Sequence, residues 1–208
     1  MSQAKKESSF VQDAIKLFGI TLIAGFLLGV VHHITYEPIE RANNATKIEA
    51  YQSVFPEAVD FKQHEGIEDL IASAEGDLAA QSFYNGNLIL DVVDAKDASG
   101  NTIGYIVSTG SKNGFGGEVD ITSGLQEDLT VTGIAFLSIE ESPGLGMNAR
   151  DTDWGKQFSG RKADQFTVTK TGSTGDSEID AISGATITSN AVTSSVNTAV
   201  WFAGNYLK

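Results

Sequence analysis

From Leu17 to Tyr36 the chain carries no Asp, Glu, Lys or Arg, and the run LFGITLIAGFLLGVV is apolar on every side. About 20 residues at ~1.5 Å rise cover ~30 Å, the hydrocarbon thickness of a bilayer. A core helix would keep a polar stripe, which is missing, and a cleaved signal peptide would be followed by a small-x-small site, also missing. The pattern predicts a single N-terminal transmembrane helix at 17–36. Residues 1–16 would form a short cytoplasmic N-terminus and residues 37–208 an extracytoplasmic domain. Lys5, Lys6 and Lys16 before the span against Arg41 and Lys47 after it give a slight positive-inside bias in that direction. Gly25 and Gly29 form a GxxxG pair, a spacing that lets helices pack closely.

Beyond the span, Ile39, Ala42, Ala45, Ile48 and Tyr51 recur at helical spacing, and Pro56 marks the end of that helix. Residues 62–81 are acidic and Ala-rich and read as a short helix followed by a loop. The pattern then changes to β-branched or alternating runs: LILDVVDA (88–95), IGYIVSTG (103–110), GEVDITSG (117–124), LTVTGIAFLSI (129–139) and DQFTVTKTG (164–172). DASGN (97–101) and GLQED (124–128) read as hairpin turns. At the C-terminus Val192, Val196, Ala199, Val200 and Ala203 fall on one helix face, with Thr188, Ser189 or Asn190 as its cap. Helices at both ends and sheet between them predict an α+β fold: an antiparallel-rich sheet with flanking helices, preceded by the membrane helix.

Composition narrows the chemistry. The 208 residues carry a formal charge of -13, and no basic patch suited to a phosphate backbone is visible, which excludes nucleic acid as a partner. Cysteine is absent, which removes disulfides, thiolate metal sites, iron–sulfur ligation and C-x-x-C-H haem attachment. His64 is the only imidazole beyond the apolar segment, and no G-x-S-x-G elbow accompanies it, so a hydrolase is disfavoured. EF-hand spacing is not seen either.

Two stretches remain. SPGLGMNA (142–149) contains Gly144-x-Gly146-x-x-Ala149, formally a dinucleotide fingerprint, but the surrounding strands are hairpin-like and no long helix follows. Pro143-Gly144 instead favours a type II turn whose backbone can approach a flat ligand closely. Trp154, Phe158 and Phe115 are near enough in sequence to stack on such a ligand, although each taken singly fits ordinary core packing. AISGATITSN (181–190) leads into the last helix, whose N-terminus offers unpaired N–H donors and partial positive charge to a phosphate. The small residues Ser183, Gly184 and Ala185 ahead of Thr186 would let a bulky phosphorylated group lie against the backbone.

DAISGATITS (180–189) resembles the flavinylation signature D-[GA]-x-[ST]-G-A-T-x-T-S of the FMN-binding domain family. ESPGLG (141–146) is similar to that family's E-T-P-G-L-G loop, NGFGGEVDI (113–121) to its glycine-rich strand entry, and WGKQF (154–158) to its W-x-x-x-F segment. Together with the membrane helix, the likeness extends over nearly the full length to the branch formed by the G-type subunits of Rnf electron-transport complexes. The related C-type subunits of sodium-pumping NADH:quinone reductases are usually longer. The resemblance implies FMN held covalently by a phosphoester to Thr186. Ser183, Gly184, Ala185, Thr188, Ser189, Glu141, Ser142, Gly144, Leu145 and Gly146 would surround it, and Asp180 would help position the hydroxyl or a metal during attachment. It further implies a flavin transferase that uses FAD and Mg²⁺, the other membrane subunits of an ion-translocating ferredoxin:NAD⁺ oxidoreductase as partners, and a redox role with no catalytic residue or metal of its own. Ser142 stands where the family usually has Thr, and a His often found before the acidic residue is absent. An extracytoplasmic flavoprotein of another respiratory chain and an anchored scaffold without covalent flavin are the competing readings.

Overall fold

The computed structural model describes residues 3–84 and 86–207. Its first element, α1 (Gln3–Val54), is one continuous helix of 52 residues, where two helices were expected. Pro38 lies inside it without ending it, although a proline removes the N–H that would bond the carbonyl four residues back. The helix stops just before Pro56, whose ring disfavours helical backbone at Phe55.

The chain divides into two units, 1–46 and 47–208. In the first, the large apolar side chains between Phe10 and Ile39, among them Phe18, Phe26 and Leu28, are exposed along the helix. The stretch is long and apolar enough to cross a membrane, and its Thr21 and Thr35 hydroxyls bond back to the carbonyls of Leu17 and Val31.

The second unit is built on a five-stranded antiparallel meander: β1 (Asp60–Gln63), β2 (Asn87–Lys96), β3 (Thr102–Ser111), β4 (Val119–Gln126) and β5 (Val131–Ile139), neighbours in that order. Between β1 and β2 lies α2 (Ile67–Ala79). Period-2 alternation divides the apolar residues between the two faces of the sheet. Val92, Val107, Val119, Ile121 and Leu125 pack with the last helix, α4 (Thr186–Tyr206), through Val192, Val196 and Ala199. Val93, Ala95 and Ile106 pack with Tyr51, Val54, Phe55 and Ala58. The sheet is therefore covered on both faces, and small polar residues such as Ser108, Thr109, Thr122 and Ser123 are buried in it beside the apolar ones.

The DASGN turn forms as expected, with the Asp97 carboxylate accepting from the Ser99 and Asn101 amides. The second turn is displaced. Gly124 lies within β4, opposite Gly133, and a Cβ there would meet the Val54 carbonyl at 2.8 Å, so this glycine makes room for the end of α1. The chain reverses at 127–130, where Leu129 adopts a φ of 73° and the Asp128 carboxylate accepts from the Thr130 amide. Residues 164–172 contribute only the short β6 (Thr167–Thr169), paired in parallel with β7 (Glu178–Asp180) outside the main sheet. The C-terminal helix begins at Thr186, two residues or more before the expected caps, and none of Thr188, Ser189 or Asn190 caps it. It is buried nearly all round from Thr188 to Val200, because the sheet, α2 and β6 all lie against it.

Candidate functional site

The turn after β5 and the start of α4 meet in a cleft of about 270 Å³ lined by Phe115, Glu141, Ser142, Leu145, Gly146, Gly184, Ala185, Thr186, Ile187 and Thr188. Each wall has a local cause. Ser142-Pro143-Gly144-Leu145 closes as a turn, with the Leu145 N–H donating to the Ser142 carbonyl at 3.1 Å and Gly144 at φ +75°, as the Pro-Gly pair predicts. Residues 148–151 form a single helical turn (α3), and Asp153–Phe158 a 3₁₀ turn after it.

On the opposite wall, Gly184 takes φ +77°, a conformation that costs a side-chain-bearing residue about 1 kcal/mol, and the helix then starts at Thr186. Ala185 occupies the capping position without a side-chain hydrogen bond. The first amides of α4, at Thr186, Ile187 and Thr188, thus lack the acceptors that a helix interior would supply. Thr186 is half-buried at the cleft; Ser189, one turn on, is fully buried and pins the preceding turn through its hydroxyl.

The lining is apolar at its rim and polar at its base. Phe115, Leu145 and Ile187 are 68%, 45% and 53% exposed, unusually bare for their type, and all border this one cleft. Thr188 is fully buried, and its Oγ1 has no hydrogen-bond partner among the described residues. A Cβ built on Gly146 would lie 2.6 Å from Glu141 Oε2 and 2.7 Å from Thr188 Oγ1, so only glycine leaves this corner open. Among the described residues Glu141 is the sole charged side chain in the lining, and its carboxylate accepts from the Phe115 and Gly116 amides. An open apolar rim above a helix N-terminus with unpaired amides and a free hydroxyl suits a flat ring system carrying a phosphate.

Of the residues singled out from the sequence, Glu141, Ser142, Leu145, Gly146, Gly184, Ala185, Thr186 and Thr188 come together in the cleft. Gly144 shapes the turn, Ser183 is exposed beside it, and Ser189 acts from behind. Asp180 stands outside the lining. Its carboxylate accepts from the Ser173 amide and hydroxyl, and its backbone is held by Gln157 and Trp154. Trp154 and Phe158 do not reach the cleft either: their rings pack edge-on at 5.7 Å, Phe158 meets Phe166 in the core, and the Trp154 Nε1–H donates to the Asp180 carbonyl. Phe115 alone of the three candidate aromatics borders the site. Ile187 was missed; a helix beginning at Thr186 would have placed this apolar residue, exposed between two threonines, in the first turn.

Residues 114–200 match the model of the FMN-binding domain family. The G-type subunit of the Na(+)-translocating ferredoxin:NAD(+) oxidoreductase complex of Acetobacterium woodii is 37% identical over 88% of this chain and 86% of that protein. The G-type subunit of the ion-translocating oxidoreductase complex of Methanosarcina acetivorans is 28% identical over 96% of both. Among solved structures, the crystal structure of the C-type subunit of Na(+)-translocating NADH-quinone reductase from Parabacteroides distasonis is similar over 56% of this chain and 62% of that one. The TM-score is 0.47 and the identity 24%.

Proposed function

The chain belongs to the family of G-type subunits of ion-translocating ferredoxin:NAD⁺ oxidoreductase complexes and carries an FMN-binding domain, and from that premise we propose that it is a membrane-anchored electron-transfer subunit with FMN attached covalently at Thr186. The observation that carries the reading is the position of Thr186: the first residue of α4, half-buried in the cleft, among first-turn amides that no side chain of the described residues caps. Those amides and the helix dipole would hold the singly charged phosphodiester of the attached FMN there. Thr186 would give its Oγ to a phosphoester with the flavin-proximal phosphate of FAD: a separate, Mg²⁺-dependent flavin transferase would form that bond as the pyrophosphate P–O bond to AMP breaks, with AMP leaving and the hydroxyl proton released. Thr188 offers its free hydroxyl at the same wall, and Gly146 keeps that corner open. Phe115, Leu145 and Ile187, which border the cleft, would offer their apolar surface to the ring system. Bound FMN supplies reversible electron transfer, and the protein contributes holding, orientation and dielectric. Asp180, committed to Ser173, orders the segment leading into the 182–186 turn.

The exposed helix within residues 10–46 supports single-pass anchoring, since its three threonine hydroxyls, at Thr21, Thr35 and Thr46, are satisfied internally, as a hydrocarbon environment demands. The lysines before the span support a cytoplasmic N-terminus and an extracytoplasmic FMN domain. A phosphoester keeps the cofactor from loss to a dilute outer space. The other membrane subunits of the complex are then its electron-transfer partners.

The test is intact mass and in-gel flavin fluorescence of the full chain made with a flavin transferase. Wild type is expected to gain the mass of FMN less water and to fluoresce after denaturation, and Thr186→Val to do neither. A fluorescent Thr186→Val band would move the attachment elsewhere, and an unmodified wild type would favour a scaffold role.

A further inference from the structure

Both carboxylate oxygens of Glu141 are committed to one loop. Oε1 accepts from the Phe115 amide at 2.7 Å and Oε2 from the Gly116 amide at 3.2 Å. Hydrogen bonds to an ionised acceptor are roughly twice as strong as neutral ones, and two on successive amides fix a backbone segment. The segment is 112–118, which joins β3 to β4 and contains Gly114, Gly116 and Gly117. Close approach explains two of these glycines. A Cβ at Gly114 would stand 2.8 Å from Glu141 Oε1 and collide with the Gly117 carbonyl, and one at Gly116 would collide with the Glu140 carbonyl. A loop so rich in glycine has many conformations to lose, so something must hold it. What it carries is Phe115, the only aromatic side chain in the cleft lining among the described residues.

We propose that Glu141 is a positioning residue, whose carboxylate clamps the 112–118 loop against 140–141 and thereby holds Phe115 at the cleft, limiting solvent access to the ring system bound there. Glu141 acts through the loop and does not itself hold the cofactor. The proposal rests on the flavin reading above for its consequence, and on the two hydrogen bonds alone for its mechanism. Replacing Glu141 by Gln keeps the volume but leaves one acceptor for two amides and turns an NH₂ toward one of them. The loop loosens while the sheet beneath it stays intact.

Two measurements on the full chain in detergent decide it. The first is amide exchange at Phe115 and Gly116 in protein free of flavin. Wild type is expected to protect both, and Glu141→Gln to exchange them about tenfold faster, the equivalent of one charged hydrogen bond, with Ile121 in β4 unchanged. Unprotected wild-type amides, or equal rates in the variant, would overturn the clamp whether or not flavin ever binds. The second is iodide quenching of flavin fluorescence in protein made with the transferase. Glu141→Gln and Phe115→Ala should both raise quenching several-fold, while only Glu141→Gln frees the Gly116 amide. Faster exchange with unchanged quenching overturns the access role. Loss of flavin with unchanged exchange would make Glu141 a direct ligand. Absence of flavin from the wild type sinks the flavin reading and leaves the exchange result to judge the clamp.

Discussion

The Ser189 hydroxyl accepts the Ile182 N–H at 3.0 Å and donates to the Ala185 carbonyl at 2.9 Å, tying the turn before α4 to the helix it introduces. Ser189 is therefore an internal brace, and Thr186 sits on the loop it closes. Ser189→Ala leaves the buried Ile182 amide without a partner, a loss of about 1–3 kcal/mol. A urea titration of the variant should show that decrease with an unchanged m-value. Flavin attachment should also fall in the folded fraction, because Thr186 loses its fixed position. Wild-type stability would refute the brace.

The two glycines of the turn after β5, Gly144 and Gly146, should respond differently to alanine. Gly144 has φ +75° and open space around its Cβ position, so Gly144→Ala costs backbone strain of about 1 kcal/mol and little else. Gly146→Ala drives a methyl into the Glu141 carboxylate and Thr188 Oγ1, and overpacking of that kind costs roughly 1–3 kcal/mol. The distinguishing measurement is flavin occupancy by absorbance per chain. Gly144→Ala should retain most of the wild-type occupancy, whereas Gly146→Ala should lose most of it. Equal occupancy in the two would mean that this corner of the cleft is not used.

Much of this arrangement was legible in the residues, and the exceptions have physical reasons. The four long strands announced themselves through β-branched or alternating runs bounded by Gly, Asn, Asp and Ser. The short β1 and β7 did not, since three or four residues show no period, and β6 is shorter than the predicted run 164–172. Gly124 looked like a turn because nothing local distinguishes a glycine needed for reversal from one needed for the close approach of Val54. The start of α4 was placed late for a related reason: Ser and Thr suggest caps, but here they face a packed interior, and Ala185 fills the capping position. The cleft residues were found through motifs whose members are adjacent in sequence. The pairing of Glu141 with the 112–118 loop spans 26 residues and could be found only in the fold.

Asp120 in β4 supplies a pH test. Burial and the neighbouring Glu118 carboxylate raise its pKa above the ordinary 3.8, and its Oδ1 has no partner among the described residues. A carboxyl whose pKa is raised by folding favours the folded state below its unfolded pKa, and that contribution is lost as pH rises through the folded value. Ionised Asp120 therefore opposes folding at neutral pH. Asp120→Asn should raise Tm at pH 7 and give little or no gain at pH 3, where the carboxyl is neutral in both states. Calorimetry at the two pH values checks this, and a gain of equal size at both would point to packing instead of charge.

The Asn197 side chain pairs with both backbone groups of Phe166, accepting its N–H at 2.7 Å and donating to its carbonyl at 2.9 Å. The carboxamide of Asn or Gln can imitate a neighbouring strand in this way, offering one donor and one acceptor side by side. Asn197 is thus the link between α4 and the chain entering β6, and both Phe166 and Asn197 are buried, so water cannot replace it. Asn197→Ala removes two hydrogen bonds at once and should cost about 2–4 kcal/mol. Asn197→Asp keeps an acceptor for the amide but sets a carboxylate against the Phe166 carbonyl, so it should be no better at neutral pH. Amide exchange separates this role from simple core packing. Loss of the link should speed exchange at 167–169 and 178–180, because β7 is paired only to β6, while Val107 and Ile121 in the main sheet keep their protection. Uniform acceleration across the domain would mean that Asn197 serves the whole core and not this one attachment.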